Sequence, residues 1–215
     1  MGGEGVPKQY IPLGRKSMLE HSIDAMLADA RIERVFAVIA VDDERWRALR
    51  VDAGRVEFLP VGGASRAETV RNGLFALAGR YADDDRVLVH DAARPCLSEA
   101  MLARLIDEAG GEDSGGLLAV PLADTLKRGE DGRVGMTLDR SSLWCAQTPQ
   151  LFRVGSLRAA LAPAPLAGLT DESSAMERAG HAPRLVTGGS ANLKVTTPED
   201  LVLAAAVLKS QGRLQ

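Results

Sequence analysis

VFAVIAV, residues 35–41, is the stretch on which the fold turns. A continuous apolar run of this kind suits a β-strand covered on both faces, as in a parallel sheet. Working upstream, Ser17 and Glu20 have the spacing of a capping box, in which each side chain satisfies a free N–H of the other. Leu19, Ile23, Leu27 and Ala30 then recur at helical spacing. Working downstream, residues 56–61 form a second strand candidate, and Ser65 with Glu68 is a second capping box that opens a helix to about Ala78. A strand at 87–90 (VLVH), a loop, a helix from Ser98 and a strand at 117–121 follow. Near the end, Thr197 as cap, Pro198 at the first helical position and the acids Glu199 and Asp200 mark another helix start. Strands alternating with helices predict an α/β sandwich around a mostly parallel sheet. Ligands of such sheets bind beyond the carboxyl ends of the strands, so polar residues that follow a strand are the first candidates.

Composition narrows the function. The chain has 215 residues, 46% hydrophobic and 26% charged, which suits one globular domain. No apolar run is long enough to span a bilayer and the start carries no secretory pattern, so a cytoplasmic location is expected. Cys96 and Cys145 are too few for a disulfide framework; Cys145 is expected to pack in a strand and Cys96 to fill a loop. A net charge of −3 argues against long nucleic acid as a partner, and any anionic substrate must be held by a few local cations.

One segment breaks the pattern. Residues 123–142 are polar, with Asp131-Gly132 as a hairpin turn signal. Two short strands around that turn are too polar for a core and read as a solvated flap or an arm reaching a second subunit. Residues 162–168 (APAPLAG) are a loop, not a domain boundary.

Several short motifs could carry chemistry. HDAARP at 90–95 follows a strand, so Asp91 sits where a carboxylate can approach a metal or a hydroxyl. Arg94 offers a planar fork of donors to a phosphate. An ion pair between the two within the loop is the alternative. Lys8, in PKQY, is a loop lysine that solvation alone explains. Lys194, in NLKVTTPED, is read inside a short apolar strand just before a capped helix, with snorkelling as its alternative. Thr148 in TPQ and Thr170 in TDESSA have ordinary turn and capping readings. The glycine pair in GGASRAET at 62–69 precedes a helix, whose start attracts anions. No His, Cys, Asp or Glu spacing suggests a metal site, and no GxGxxG follows a strand as a nicotinamide-binding fold requires.

In order and approximate spacing, PKQY, the Gly-Gly turn with RAET, HDAARP, DTLKR, LDR, TPQ, TDESSA and NLKVTTPED resemble the 2-C-methyl-D-erythritol 4-phosphate cytidylyltransferases of non-mevalonate isoprenoid synthesis, from residue 1 to about 208. The resemblance implies a single nucleotidyltransferase domain over 1–215. Its fold would be the three-layer sandwich with a twisted, mostly parallel sheet of nucleotide-diphospho-sugar transferases. The 123–142 hairpin would be a protruding β-arm that forms a homodimer. It implies transfer of CMP from CTP to the sugar-alcohol phosphate, with Mg2+ bound mainly through the CTP phosphates. By matching position, Lys8 and Lys194 would flank the α-phosphate. Asp91 and Ala92 would line the junction of nucleotide and acceptor. Arg94, Thr148, Thr170 and Lys194 would hold the acceptor phosphate, and Gly63, Ala64 and Thr69 would touch cytosine or ribose. Thr125 and Arg140 would reach the partner subunit's acceptor.

The chain also departs from the family's pattern. Ala64 stands where the family has an acid, and Thr69 where it has a serine. The family's opening strand and Gly-rich, Arg-containing loop have no match, so an upstream extension that supplies them is expected. Two other functions fit these motifs. One is a ribitol-5-phosphate cytidylyltransferase, against which the two alanines of HDAARP speak. The other is a catalytically impaired nucleotide-binding protein of the same fold.

Overall fold

A computed structural model describes residues 6–163 and 165–214. A 3-10 turn at Lys8–Tyr10 leads into a small antiparallel hairpin, β1 (Pro12–Leu13) and β2 (Lys16–Ser17). The chain continues as α1 (Met18–Leu27), β3 (Val35–Val38), β4 (Val56–Leu59), α2 (Arg66–Ala76), β5 (Arg86–Val89), α3 (Glu99–Ala109) and β6 (Gly116–Pro121). Then come β7 (Leu126–Glu130), β8 (Arg133–Leu138), β9 (Trp144–Arg153), α4 (Val154–Leu161), α5 (Glu172–Arg178), β10 (Arg184–Thr187) and α6 (Pro198–Ser210). All three helix starts read from capping pairs are present: the caps of α1, α2 and α6 are Ser17, Ser65 and Thr197.

The layering follows from alternation along the strands. In β5, Leu88 packs with Leu102 and Leu105 of α3 and with Ala25 and Met26 of α1. Its neighbours Val87 and Val89 pack on the opposite face with Leu74 of α2, Leu157 of α4 and Met176 of α5. The sheet is therefore buried on both sides, as the apolar strand runs require. The pairing is mixed. Within the four-stranded sheet, ordered β10-β6-β9-β5, β10 and β6 are parallel, whereas β9 runs antiparallel to both its neighbours. The β3–β4 pair is parallel.

The hydrogen-bond ladder is interrupted between β3 and β5, which belong to separate sheets among the described residues. The layers run on across that interruption. Val35 of β3 and Leu88 of β5 share one core cluster. On the other face, Gly73 of α2 lies against Val38 of β3, where an added Cβ would stand 2.7 Å from Cγ2.

Several expectations need adjusting. TPQ is not a turn: Thr148 to Gln150 run through the middle of the ten-residue β9, with a cis bond between Thr148 and Pro149. Residues 193–195 form no strand, so Lys194 sits on irregular backbone between β10 and α6. Cys145 is exposed on β9, whereas Cys96 is fully buried. The helix after Thr170 is capped by Asp171 instead, whose carboxylate accepts the Ser174 N–H. The hairpin turn at Asp131-Gly132 forms with both residues at positive φ, 49° and 74°, as a tight two-residue hairpin loop demands.

Candidate functional site

The site grows from the loop that follows β5. The Asp91 N–H donates to Thr148 Oγ1 at 3.0 Å, tying the loop to β9. Thr148 Oγ1 also lies 3.0 Å from His90 Nδ1, and His90 Nε2 lies 3.0 Å from the Arg94 carbonyl. A carbonyl only accepts, so Nε2 carries the proton and Nδ1 accepts from the threonine hydroxyl. Burial favours this neutral imidazole and lowers the His90 pKa to about 4. In this arrangement the Thr148 hydroxyl proton points to His90, and only a lone pair is left over.

The Asp91 carboxylate is shared by two cations. Arg66 Nε donates to Oδ1 at 2.8 Å, and the Lys194 ammonium lies 2.8 Å from Oδ2. Burial opposes ionisation of Asp91, but the charge of Arg66 and the hydrogen bonds from Lys194 and Arg66 outweigh it and hold the carboxyl at about 2. The two terminal nitrogens of Arg66 grip both oxygens of Glu172 at 2.8 Å, and Glu172 is 1% exposed. Burial pushes the Glu172 carboxyl above the usual carboxylate range, and the guanidinium opposes that shift.

Arg94 is nearly as buried as its neighbours. It donates from Nη1 to the Asn192 carbonyl at 2.6 Å and from Nη2 to the Ala146 carbonyl at 3.4 Å, while its Nε has no hydrogen-bond partner among the described residues. Burial lowers the pKa of this guanidinium. The Asn192 side chain, fully buried, donates back to the Thr148 carbonyl at 2.9 Å. Strand β9, the loop after β5 and the segment before α6 are thus pinned to one another by buried polar groups.

These segments enclose an open cavity of about 220 Å³. Five of the residues singled out from the sequence line it: Asp91, Arg94, Thr148, Thr170 and Lys194. Lys8 is not on its lining; its ammonium donates to the Val195 carbonyl at 3.4 Å, one residue beyond Lys194. The remaining candidates stand apart from this cavity. The Ala92 carbonyl accepts the Ser22 hydroxyl at 2.8 Å. Thr69 organises the turn before α2, accepting the Gly63 N–H at 3.0 Å and donating to the Ser65 carbonyl at 2.9 Å. Gly63 and Ala64 are exposed on that turn. Thr125 and Arg140 are exposed at the base of the β7–β8 hairpin, where Arg140 donates to the Leu122 carbonyl at 3.0 Å.

The sequence reading passed over Arg66, Gln147, Gln150 and Asp171, which line the cavity, and Glu172 behind it. All but Gln147, which immediately precedes TPQ, lie inside a motif already quoted. Arg66 directly follows the capping Ser65, and Glu172 follows the capping Asp171. An acid one step inside a helix is an ordinary match to the helix dipole, which hid Glu172; Arg66, a cation at a helix start, is a mismatch to the dipole, and its partner lies 106 positions away in the sequence.

Comparison with known proteins agrees with this geometry. Residues 2–210 match the family model described as IspD: 2-C-methyl-D-erythritol 4-phosphate cytidylyltransferase. A 2-C-methyl-D-erythritol 4-phosphate cytidylyltransferase of Nitrosomonas eutropha is 50% identical over 215 residues, covering 98% of this chain and 92% of that protein. One of Laribacter hongkongensis is 53% identical over 210 residues, covering 96% of this chain and 90% of that protein. Among solved structures, a 4-diphosphocytidyl-2C-methyl-D-erythritol synthase superposes with a TM-score of 0.88 at 45% identity, over 94% of this chain and 95% of that one. A 2-C-methyl-D-erythritol 4-phosphate cytidylyltransferase from Thermus thermophilus does so at 0.80 and 31%, over 95% of both chains. By its sequence, its fold and the motifs gathered around one cavity, the chain belongs to the 2-C-methyl-D-erythritol 4-phosphate cytidylyltransferase (IspD) family.

Proposed function

We propose that this chain transfers CMP from CTP to 2-C-methyl-D-erythritol 4-phosphate and releases pyrophosphate. The observation that carries the assignment to these residues is the meeting of Lys194, Asp91 and Arg94 at one cavity, with Lys8 bonded to the backbone beside Lys194. A phosphate monoester is already a competent nucleophile at neutral pH, so no strong general base is needed. The residues bring two polyanions together and stabilise the charge that builds up at the α-phosphorus. Lys8 and Lys194 take that role. Arg94 and Thr170 face the acceptor phosphate, and Thr148 fixes the loop that carries Asp91. The turn at Gly63, Ala64 and Thr69 faces the nucleoside.

A magnesium ion fits this site as a ligand of the nucleotide. The two Asp91 oxygens are taken by Arg66 and Lys194 and the two Glu172 oxygens by Arg66, which leaves the protein few free donors there. Bound to the CTP phosphates, it would neutralise part of the charge of the leaving pyrophosphate.

The hairpin supports a homodimer. Val134 and Met136 on β8 are 66% and 47% exposed, and Trp144 at the start of β9 is 39% exposed. Apolar side chains on an exposed arm call for a covering surface, and a second copy would bring Thr125 and Arg140 to its neighbour's acceptor. Operation in the cytoplasm is part of the same reading, since CTP and a sugar-alcohol phosphate are charged solutes met in water.

The test is pyrophosphate release from CTP with the methylerythritol or the ribitol phosphate. Expected is turnover with the methylerythritol acceptor that falls at least about 100-fold in Lys8→Ala and Lys194→Ala. Faster turnover of the ribitol phosphate, or wild-type rates in both lysine variants, overturns the reading.

A further inference from the structure

Two residues given no role so far, Arg66 and Glu172, bind the site's charges into one chain. Glu172, Arg66, Asp91 and Lys194 alternate in sign, each within 2.8 Å of the next. They come from the start of α5, the start of α2, the loop after β5 and the segment before α6. Both ends of the Arg66 span are fixed from behind. The Asp91 backbone is held by Thr148, and the start of α5 by Gln150, whose Oε1 accepts the Ser173 N–H at 2.8 Å.

A carboxylate as buried as Glu172 is costly to desolvate, and pairing alone seldom makes such a group a net source of stability. Its use lies in geometry. The guanidinium has donors in one plane, two for Glu172 and Nε for Asp91, a division that a lysine cannot copy. Glu172 therefore aims Arg66, Arg66 aims Asp91, and the second Asp91 oxygen holds the Lys194 ammonium at the mouth of the cavity. Lys194 is 42% exposed, against 12% for Asp91. When Lys194 turns towards a phosphate, Asp91 keeps Arg66 as partner, so no buried carboxylate is left unpaired.

We propose that Arg66, anchored by Glu172, is a positioning residue that fixes Asp91 and, through it, the ammonium of Lys194. The proposal rests on the reading of Lys194 as the lysine that faces the phosphate. Its test has one arm without turnover. Acetylation of Lys194 by an N-hydroxysuccinimide ester is followed by peptide mass spectrometry in the full chain, with exposed Lys209 as internal control. Held against Asp91 at 2.8 Å, the Lys194 amine is less free to reach the reagent, so Arg66→Ala, Arg66→Lys and Asp91→Asn should each speed labelling of Lys194 several-fold and leave Lys209 unchanged. The double variant R66A/D91N should label no faster than D91N, because both act on the same contact.

In the transfer assay, R66A and R66K should lose roughly 10- to 100-fold in kcat/KM, the scale expected of a displaced catalytic group. Lys194 labelling at the wild-type rate in R66A and R66K overturns the proposal, as does an additive double variant. If Lys194→Ala is impaired in transfer while R66K is not, the lysine reading stands and the positioning role falls. If Lys194→Ala transfers CMP normally, the lysine reading falls instead, and the labelling arm still judges the contact.

Discussion

Replacing Asp91 with Asn isolates the charge at the centre of the site. The amide keeps the shape but offers a single acceptor oxygen, so one of Arg66 and Lys194 meets its NH2 group, and one of the two hydrogen bonds is lost with the ionic part. The carboxyl titrates at about 2 in the folded chain against an ordinary value of 3.8, a difference equivalent to about 2 kcal/mol. Asp91 is 12% exposed, but Arg66 and Lys194 are 32% and 42% exposed. Solvent screening at the two cations therefore sets this figure as the upper end of the expected loss. The sign is fixed by the direction of the shift. A depressed carboxyl contributes stability above the unfolded pKa of 3.8, and that contribution disappears as pH falls towards 2. Urea unfolding of wild type and Asp91→Asn at pH 7, and at steps down to about pH 3, measures it. The variant should be about 1–2 kcal/mol less stable at pH 7, and the gap should narrow only below about pH 4. Equal stability at pH 7, or a gap unchanged down to pH 3, refutes the account of Asp91 as an ionised, doubly paired carboxylate.

Three further outcomes are expected. His90 is held neutral, with its pKa lowered from 6.5 to about 4; the unfolded chain takes up a proton first, so this group costs up to about 3 kcal/mol of stability as pH falls from 6.5 to 4, and the wild-type minus His90→Asn difference should follow that course in urea titrations. Gly115→Ala should cost at least about 3 kcal/mol, because φ is +68° and a Cβ would stand 2.2 Å from the Leu151 carbonyl oxygen, whereas Gly132→Ala, with positive φ and open space around it, should cost only about 1 kcal/mol; thermal unfolding compares the two. Met136→Asp on the hairpin should shift a dimer towards monomer in sedimentation equilibrium with little effect on monomer stability, since Met136 is 47% exposed.

Local chemistry made the helices legible. Ser17–Glu20, Ser65–Glu68 and Thr197–Pro198 each fix a helix start through atoms three residues apart or fewer, and all three starts stand where the sequence puts them. Asp131-Gly132 located its hairpin for the same reason. Strand partners are set at long range and were less visible. Nothing local in WCAQTPQLFR announces a ten-residue strand, because Pro149 normally interrupts a ladder and the polar Gln147, Thr148 and Gln150 suggest surface. All three are in fact buried. Their side chains are spent on Asn192, His90 and Asp171, contacts 21 to 58 positions away. The site shows the same division. Asp91, Arg94 and Lys194 stood out by following strands or interrupting apolar runs, while Arg66 and Glu172 passed as helix-start charges until the fold paired them.

The charge arrangement explains how a chain with a net charge of −3 can receive two polyanions. At a distance its field does not favour CTP, and steering by a global positive potential is not available to it. Close to the cavity the balance changes. Arg66, Arg94 and Lys194 line it, with Lys8 bonded to the backbone next to Lys194, against Asp91 and Asp171 on the lining and Glu172 buried behind. Two of these cations, Arg66 and Lys194, are already paired with carboxylates, which keeps them in place without a large local repulsion. An arriving phosphate does not need to organise them; it needs only to compete with Asp91 for Lys194. The cost of arranging like charges beside one another is thus met during folding, by Glu172 and Asp91. What remains for binding is an exchange of one anion for another around a lysine that stays near the water.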